Sequence, residues 1–274
     1  MYTLQLQYHR YILLVYILFH IFYIYIYIIG FRYRSYLLIP LVAASDSGHI
    51  AIVRIIVEHG TNIDGLTTAL CCSISGDNSS VELVEYLLDS GADPNTTQAG
   101  IFTNSDHYNA LTLACKNGIL PFIRLLLARG ADSNPDPNNR RVTPPLKAAL
   151  SRPEVVKILL EHGANPNLPF DDGNSALLEV LQQRNQITSL EAFTLLLQHS
   201  ADPNLAKAQT GETLMAAAIA ARVEYVKLLL EYGADVTQVN TAGQSVLDLL
   251  SRTRKYSEVV VLCTRYIDSN LLAC

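Results

Sequence analysis

The chain has 274 residues, half of them hydrophobic, with 20 Lys and Arg against 25 Asp and Glu. Residues 1–36 hold three Arg and no acid, so the remaining 238 residues carry 17 basic and 25 acidic side chains, a net charge of −8. A body of this charge without a dense basic run repels phosphate backbones, which disfavours nucleic-acid binding.

The run from Tyr11 to Ile29 holds nineteen residues, and only His20 interrupts its apolar and aromatic character. A run of this length can cross a bilayer as a helix. Arg10 precedes the run while Arg32 and Arg34 follow it, and the small excess of positive charge after the run keeps the rest of the chain in the cytosol. We therefore predict a transmembrane helix that anchors the protein to a membrane.

Two further interpretations of residues 1–36 remain open. Tyr and Ile alternate from Tyr23 to Ile28, and both have AT-rich codons, so translated non-coding DNA would have this character. In that case the start is mis-predicted, the segment is absent from the native protein, and the remainder is soluble and cytoplasmic. The other interpretation is a soluble strand that caps the following domain.

One phrase recurs through the rest of the chain: an aliphatic run, one or two polar residues, Gly-Ala-Asp and a closing Asn. Its Gly position recurs at steps of 31, 39, 33, 37 and 33 residues, which indicates a repeat architecture. The copies are IVRIIVEHGTNID (52–64), LVEYLLDSGADPN (83–95), FIRLLLARGADSN (122–134), VVKILLEHGANPN (155–167), AFTLLLQHSADPN (192–204), YVKLLLEYGADVT (225–237) and a degraded VVVLCTRYIDSN that ends near Asn270.

Each phrase and the segment before it predict a pair of helices. The phrase is apolar over a wide arc, as in Leu125-Leu126-Leu127, so neighbouring repeats must cover it on several sides. Gly after the aliphatic run permits the left-handed conformation that ends a helix, and the Asx-Pro pair that follows favours a turn. A shorter Ala-containing segment such as Thr213–Ala218 precedes each phrase, where Ser or Thr supplies an N-cap.

These phrases resemble ankyrin repeats, in which a first helix containing Thr-Pro-Leu is paired with a second helix that ends in Gly-Ala-Asp. The resemblance covers about seven repeats over residues 38–270. It implies an all-α solenoid of stacked helix-turn-helix units with hairpin-like fingers projecting to one side. We therefore divide the chain into a hydrophobic segment, 1–36, and an ankyrin-repeat domain, 37–274.

The uneven steps predict three irregularities in the stack. The step of 39 predicts a long finger within residues 96–107, before the third repeat. The step of 37 predicts an insertion at Gln182–Ile187, between the two helices of repeat five. The step of 31 combines a short finger near Asp64 with two extra residues around Asp77.

The resemblance implies a non-catalytic scaffold that binds a protein partner, of unknown identity, through the finger tips and concave face of the stack. Loops are free to bind, and exposed aromatic and Arg side chains are enriched in binding hot spots. The candidate partner-binding residues are Phe102, His107, Arg140, Arg141, Phe170, Asp171, Asp172, Gln209 and Thr210. The alternative for each of them is an ordinary solvated loop residue. A second functional hypothesis is a truncated adaptor, whose missing flanking region carries an effector or enzyme domain.

The sequence predicts no catalytic, cofactor or metal site. His59, His162 and His199 occupy one helix-end position in different repeats, too far apart to share a metal ion, and are expected to be structural. There is no glycine-rich phosphate loop, Walker-type Lys or paired-carboxylate motif. The cysteines have no zinc or redox spacing and are expected to be buried free thiols in a reducing compartment. They are Cys71, Cys72, Cys115, Cys263 and Cys274.

Overall fold

The computed structural model describes most of the chain after residue 37. The described residues are 38–76, 78, 80–96, 108–135, 143–170, 173–183, 186–205, 213–220, 222–240, 242–250 and 257–271. Apart from residues 38–40, they belong to one compact unit that begins at Leu41. These ranges contain helices and no strand, although an isolated antiparallel bridge pairs Val239 with Ser245.

The helices of the described ranges form seven consecutive pairs, one pair for each repeat. The first helices are α1 (Leu38–Asp46), α3 (Ile63–Ser75), α5 (Ala110–Asn117), α7 (Pro145–Ala149), α9 (Ala176–Gln182), α11 (Thr213–Ile219) and α13 (Val246–Leu250). The second helices are α2 (Ile50–Glu58), α4 (Val81–Asp89), α6 (Leu120–Ala128), α8 (Pro153–Glu161), α10 (Gln186–Gln198), α12 (Val223–Glu231) and α14 (Ser257–Leu271). The seven predicted repeats are therefore confirmed.

Consecutive repeats stack through like helices. First helix packs on first helix, as α5 packs on α7, and second helix on second helix, as α8 packs on α10. The aliphatic positions of the second helices are covered in this way: Leu87, Leu126, Leu159 and Leu229 are each 0% exposed. Burial on several sides explains why these helices are apolar over so wide an arc, and it confirms the predicted all-α solenoid.

An Asn side chain links the turn of one repeat to the turn of the next at four successive places. Asn134 Nδ2 donates to the carbonyl oxygen of Gly163 at 2.8 Å, and Asn134 Oδ1 accepts from the backbone N–H of Asn165 at 2.7 Å. Equivalent pairs of bonds are made by Asn95, Asn167 and Asn204. The recurring phrase ends on Asn because this side chain satisfies two backbone groups of the following repeat.

The Gly position of the phrase adopts the left-handed backbone that the sequence predicts. The angle φ is 81° at Gly163 and 84° at Gly233. Ser200 occupies the same position in repeat five and keeps a φ of 65°. A residue with a Cβ atom is disfavoured in this region by roughly 1–2 kcal/mol, so repeat five carries local strain that the other repeats avoid.

Replacing Ser200 by Gly is expected to stabilise the protein by about 1 kcal/mol, because Gly removes this strain. The side chain is exposed, so the substitution removes little packing. Urea denaturation followed by circular dichroism would measure the gain. Ser90→Gly is the control, since Ser90 ends α4 with φ −80° and gains nothing from Gly. A Ser200→Gly variant no more stable than the parent chain would contradict this account of the turn.

The short finger and the longer link predicted around repeat two are confirmed. Helix α3 begins at Ile63, three residues after the Gly position at Gly60, and has Asp64 in its first turn. Residues 76–80 then join α3 to α4, two more than the residues 47–49 that join α1 to α2. The finger before repeat two is thus short because α3 begins soon after Gly60.

The extra residues of repeat five lie elsewhere than predicted. Residues 183–185 join α9 to α10, a link as long as residues 150–152 between α7 and α8. Helix α10 instead has 13 residues where α8 and α12 have nine. Four residues add about one helical turn and leave the following residues on nearly the same face, so the helix absorbs the insertion.

The predicted long finger and hydrophobic segment fall mostly outside the described residues. Twenty residues, 90–109, separate α4 from α5, whereas fourteen, 162–175, separate α8 from α9, which confirms an extended connection before repeat three. Residues 97–107 of that connection lie outside the described ranges, as does the predicted transmembrane run Tyr11–Ile29. Among the described helices, none combines the length and apolar character that a membrane span requires.

Candidate partner-binding surface

The structure describes Phe170 but not the other candidate residues. Outside the described ranges lie Phe102, His107, Arg140, Arg141, Asp171, Asp172, Gln209 and Thr210, and their role stays a prediction. Phe170 was expected to be an exposed aromatic contact, but its side chain is only 5% exposed. It is therefore corrected to a residue that supports the fourth finger from within.

Local hydrogen bonds explain why Phe170 is buried. Its backbone N–H donates to the carbonyl oxygen of Asn174 at 3.0 Å, and Gly173 N–H donates back to the carbonyl oxygen of Phe170 at 2.8 Å. The base of the finger is closed by this turn, and Lys147 Nζ lies 5.4 Å from the centroid of the Phe170 ring. The ring thus packs toward the stack and holds a cation from the preceding first helix.

A set of residues, all of them exposed except the half-buried Gln183, ends the first helices of repeats three to six. We call this set the first-helix edge. Upstream in each of these helices the side chains are mostly buried under neighbouring repeats, so the edge is where the first helices reach solvent. The edge consists of Lys116, Asn117, Ser151, Arg152, Gln182, Gln183, Ile219 and Ala220.

The charges at this edge differ from those of the whole chain. Within the described first helices and links of repeats three to six, the cations are Lys116, Lys147, Arg152 and Arg222. The acid in the same described ranges is Glu179, which is half-buried and accepts a hydrogen bond from Asn174 Nδ2 at 2.9 Å. A chain with a net charge of −5 therefore presents a positive edge on its first helices.

Both lysines among these cations lie over aromatic rings. Lys116 Nζ is 4.4 Å from the Tyr108 ring centroid and donates to the Tyr108 hydroxyl at 3.2 Å. Lys147 Nζ lies over the Phe170 ring, as described above. Each ring holds the ammonium group in place through a cation–π contact.

Two arginines connect the links of neighbouring repeats. Arg152 lies against Gly118, where a Cβ atom would stand 2.6 Å from Arg152 Nε. Its charge opposes the effect of burial on the pKa of Cys115, which places the guanidinium beside α5. Arg222 Nη2 donates to the carbonyl oxygen of Gln183 at 3.2 Å. These contacts make the first-helix edge continuous from repeat three to four and from five to six.

The second helices carry paired charges instead. Arg54 Nη2 lies 2.9 Å from Glu82 Oε1, which joins α2 to α4. Arg129, at the end of α6, contacts both Glu85 and Asp89 of α4. These three ion pairs hold neighbouring repeats together, although exposed pairs of this kind contribute only about 0–1 kcal/mol each. The described second helices nevertheless hold eleven acidic and five basic side chains, so their net charge is negative whereas the first-helix edge is positive.

The histidines considered in the sequence serve the ends of second helices. The Nδ1 atoms of His59, His162 and His199 lie 2.7, 2.8 and 3.0 Å from the carbonyl oxygens of Ile55, Ile158 and Leu195. These carbonyls belong to the last turns of their helices, so the rings satisfy backbone acceptors there. The structural role predicted for these residues is confirmed.

The described cysteines are buried free thiols, as predicted. Burial raises the pKa of Cys71, Cys72 and Cys115 from the usual 9.0 to about 12, and it also raises the pKa of Cys263. The thiolate is the nucleophilic form, so these groups are poor nucleophiles near neutral pH. Their side chains fill the core beside the first helices and α14.

The Cys274→Ser variant removes the one thiol that lies outside the described residues. In the folded variant, we expect iodoacetamide at pH 8 to alkylate the four remaining thiols slowly. In urea the remaining thiols should react at the rate of free cysteine. The raised pKa also stabilises the folded state at pH values below 9.0, and this contribution is lost as the pH rises from 9.0 toward 12. Rapid native labelling of four thiols would contradict the burial described here. Mass spectrometry of timed samples measures both rates.

The fold and this surface define a class of protein, the helical-repeat solenoid with an exposed, positively charged first-helix edge. The family description "Ankyrin repeats (3 copies)" matches residues 35–98 and 97–170, and "Ankyrin repeat" matches residues 213–241. Together these matches cover more than half of the 274 residues. The chain belongs to the ankyrin-repeat family.

Two curated proteins are about a third identical to this chain over the regions that match. Ankyrin repeat and KH domain-containing protein mask-1 of Caenorhabditis elegans is 31% identical over 144 residues, which are 52% of this chain and 5% of that protein. Ankyrin repeat and SOCS box protein 14 of Mus musculus is 31% identical over 139 residues, 47% of this chain and 22% of that protein. The chain thus corresponds to a small part of each relative.

Solved ankyrin-repeat structures share the fold. The ankyrin repeat domain of Bcl-3 has a TM-score of 0.64 at 23% identity, covering 81% of this chain and 97% of that one. The human ASB11 ankyrin repeat domain has a TM-score of 0.57 at 24% identity, covering 82% and 97%. An ankyrin repeat domain from Acinetobacter baumannii has a TM-score of 0.58 at 27% identity, covering 72% and 98%.

Proposed function

We propose that the protein is a non-catalytic scaffold that binds a protein partner through its finger tips and the C-terminal ends of its first helices. Ankyrin repeats are generally protein-interaction modules. The observation that carries the proposal is the contrast between polar groups that bond within the stack and side chains that the first-helix edge exposes. The repeated Asn side chains and helix-end His rings satisfy backbone groups, whereas the first-helix edge presents cations and apolar side chains to solvent.

A photo-cross-linking amino acid placed in the intact chain tests this proposal. Gln182 on the first-helix edge is exposed and suits the probe, and Lys157 on α8 is an exposed control position. We expect a protein adduct of defined mass from the Gln182 position in cells of the native source and none from the Lys157 position. Adducts from Lys157 alone, or from neither position, would count against binding at this surface.

The second candidate function is an adaptor whose effector or enzyme domain lies in a flanking region. The curated relatives support it, because the matched residues amount to 5% and 22% of their lengths. The repeats would then select the partner, and the flanking region would act on it. Sequencing of full-length transcripts decides the matter: an open reading frame extending beyond residue 1 or 274 favours the adaptor, and stop codons at both ends oppose it.

Membrane anchorage through Tyr11–Ile29 is a separate proposal that rests on the apolar run alone. Alkaline carbonate extraction of membranes from the native source, probed with an antibody against the repeats, tests it. Retention in the pellet would support a membrane span that keeps the repeats in the cytosol. Release into the supernatant would oppose the span and favour a cytoplasmic protein or a mis-predicted start.

A further inference from the structure

We propose that the first-helix edge binds an extended acidic segment of a partner protein, with an apolar side chain of that segment lying against repeat six. This inference rests on the proposed scaffold function and specifies the chemistry of its partner. The basic part of the edge lies in repeats three and four and holds Lys116 and Arg152. The apolar part lies in repeat six and holds Ile219 and Ala220, with Ile219 52% exposed.

Charge complementarity selects an acidic occupant. Among the edge residues, Lys116 and Arg152 are cations and none is an acid. In the same described helices and links, the half-buried Lys147 and Arg222 add positive charge, while Glu179 is already engaged by Asn174. The described second helices are net acidic, with eleven acidic and five basic side chains, and would repel an acidic segment. Complementary potential steers association and excludes partners of like charge, so a basic or neutral segment would be disfavoured at this edge.

The position of the cations also favours a ligand of some length. Lys116 is held over Tyr108 and Lys147 over Phe170, so both ammonium groups have fixed positions. Arg152 lies against Gly118 of the preceding repeat, two residues after Lys116, so the edge passes from repeat three to repeat four at this contact. Neutral Gln182 and Gln183 follow in repeat five, before the apolar pair of repeat six. An extended peptide can contact these successive repeats in order.

A purely structural role for the cations makes a different prediction. Cations near the C-terminal end of a helix interact favourably with its unpaired carbonyl groups, and Lys116 lies in the last turn of α5. If this were their whole role, substitution would lower the stability of the stack and leave peptide affinity unchanged. The two roles are therefore separated by measuring affinity and stability on the same variants.

The experiment selects ligands from a displayed library of random twelve-residue peptides with the full chain as bait. The test variant is Lys116→Glu with Arg152→Glu, and the control is Lys157→Glu with Lys227→Glu, which makes the same charge change on second helices. If circular dichroism shows that a variant with two Glu substitutions does not fold, the same positions are replaced by Gln instead. A second comparison sets Ile219→Thr on the edge against Ile55→Thr on α2, because Ile55 is 40% exposed.

We expect selected peptides rich in Asp and Glu with one large apolar residue. Their affinity should fall about tenfold in the Lys116/Arg152 variant, change less than about twofold in the control, and weaken as salt increases. Ile219→Thr should weaken binding more than Ile55→Thr. Selection of neutral or basic peptides, equal affinity for both charge variants, or binding of an oligouridine RNA in place of acidic peptides would overturn the inference.

The outcomes also separate this inference from the scaffold proposal. If the Gln182 cross-link forms but selected peptides are not acidic, the scaffold proposal stands and the acidic partner is wrong. If the Gln182 cross-link and the peptide selection both fail, the two proposals fall together.

Discussion

Replacing Leu159 by Ala is expected to lower the free energy of unfolding by about 2–5 kcal/mol, the largest loss among the substitutions considered. Leu159 lies in α8 and is 0% exposed. Truncation removes buried apolar surface and leaves a cavity that neighbouring repeats fill only in part. Because repeat four is central, the loss also weakens coupling between the repeats before and after it. Urea denaturation should show a lower midpoint and a broader or divided transition.

Lys157→Ala is the matched control for Leu159→Ala. Lys157 is on the same helix, is exposed, and lies 4.0 Å from Glu161 in an exposed ion pair. Its removal should change the free energy of unfolding by less than about 0.5 kcal/mol. A Leu159→Ala variant as stable as the Lys157→Ala control would contradict the burial of the second helices between repeats.

Replacing Gly76 by Ala is expected to cost about 1–3 kcal/mol and to loosen repeat one from repeat two. A Cβ atom at Gly76 would stand 2.1 Å from the carbonyl oxygen of Asp46 and 2.9 Å from its carbonyl carbon. Both are backbone atoms, so the end of α1 or the start of the link must move, as in an overpacked core. The backbone at Gly76 has φ −75° and ψ 150°, which Ala adopts without strain, so the effect is one of packing.

Hydrogen exchange measured along the chain gives the regional readout for Gly76→Ala. Amides of α1 and α2 should exchange faster, while amides of α8 keep their protection, because each repeat contacts mainly its neighbours. Ser75→Ala is the control, since the exposed Ser75 hydroxyl donates to the carbonyl oxygen of Cys71 and does not fill the contact with Asp46. Unchanged exchange in α1 would show that the repeats are less closely packed than described.

The helices were predictable because their sequence features have local physical causes. The aliphatic run is buried, the Gly position forms a left-handed turn, and the closing Asn forms hydrogen bonds with the next repeat. Each of these features recurs from repeat to repeat. Ser200 shows the strength of the constraint, since it adopts φ 65° where repeats one to four and repeat six have Gly. The early start of α3 also followed from the spacing between Gly60 and Asp64.

Two features depended on information that spacing does not contain. Four added residues fit a loop or one more helical turn equally well by spacing, and the structure has the longer helix α10. An aromatic residue in a finger is exposed or buried according to its turn, and the hydrogen bonds of Phe170 with Gly173 and Asn174 direct the ring inward. Residue type alone suggested an exposed contact at Phe170.

The first-helix edge was missed because its members are far apart in sequence. Lys116, Arg152 and Ile219 become parts of one surface only when the repeats stack. Aligning the repeat sequences at the starts of their second helices reveals the positions that form this edge. Arg152 and Arg222 both stand directly before a second helix, and Lys116 and Ile219 each stand three residues before that position. A comparison of equivalent positions between repeats therefore finds surfaces that a search for motifs does not.

Hydrogen exchange of the full chain, alone and with the protein partner identified by cross-linking, tests the scaffold account most directly. The account predicts added protection in the finger bases and first-helix ends, within residues 108–119, 143–152, 173–183 and 213–220, and unchanged exchange in α6, α8 and α12. Protection confined to those second helices, with no change along the first-helix edge, would contradict it.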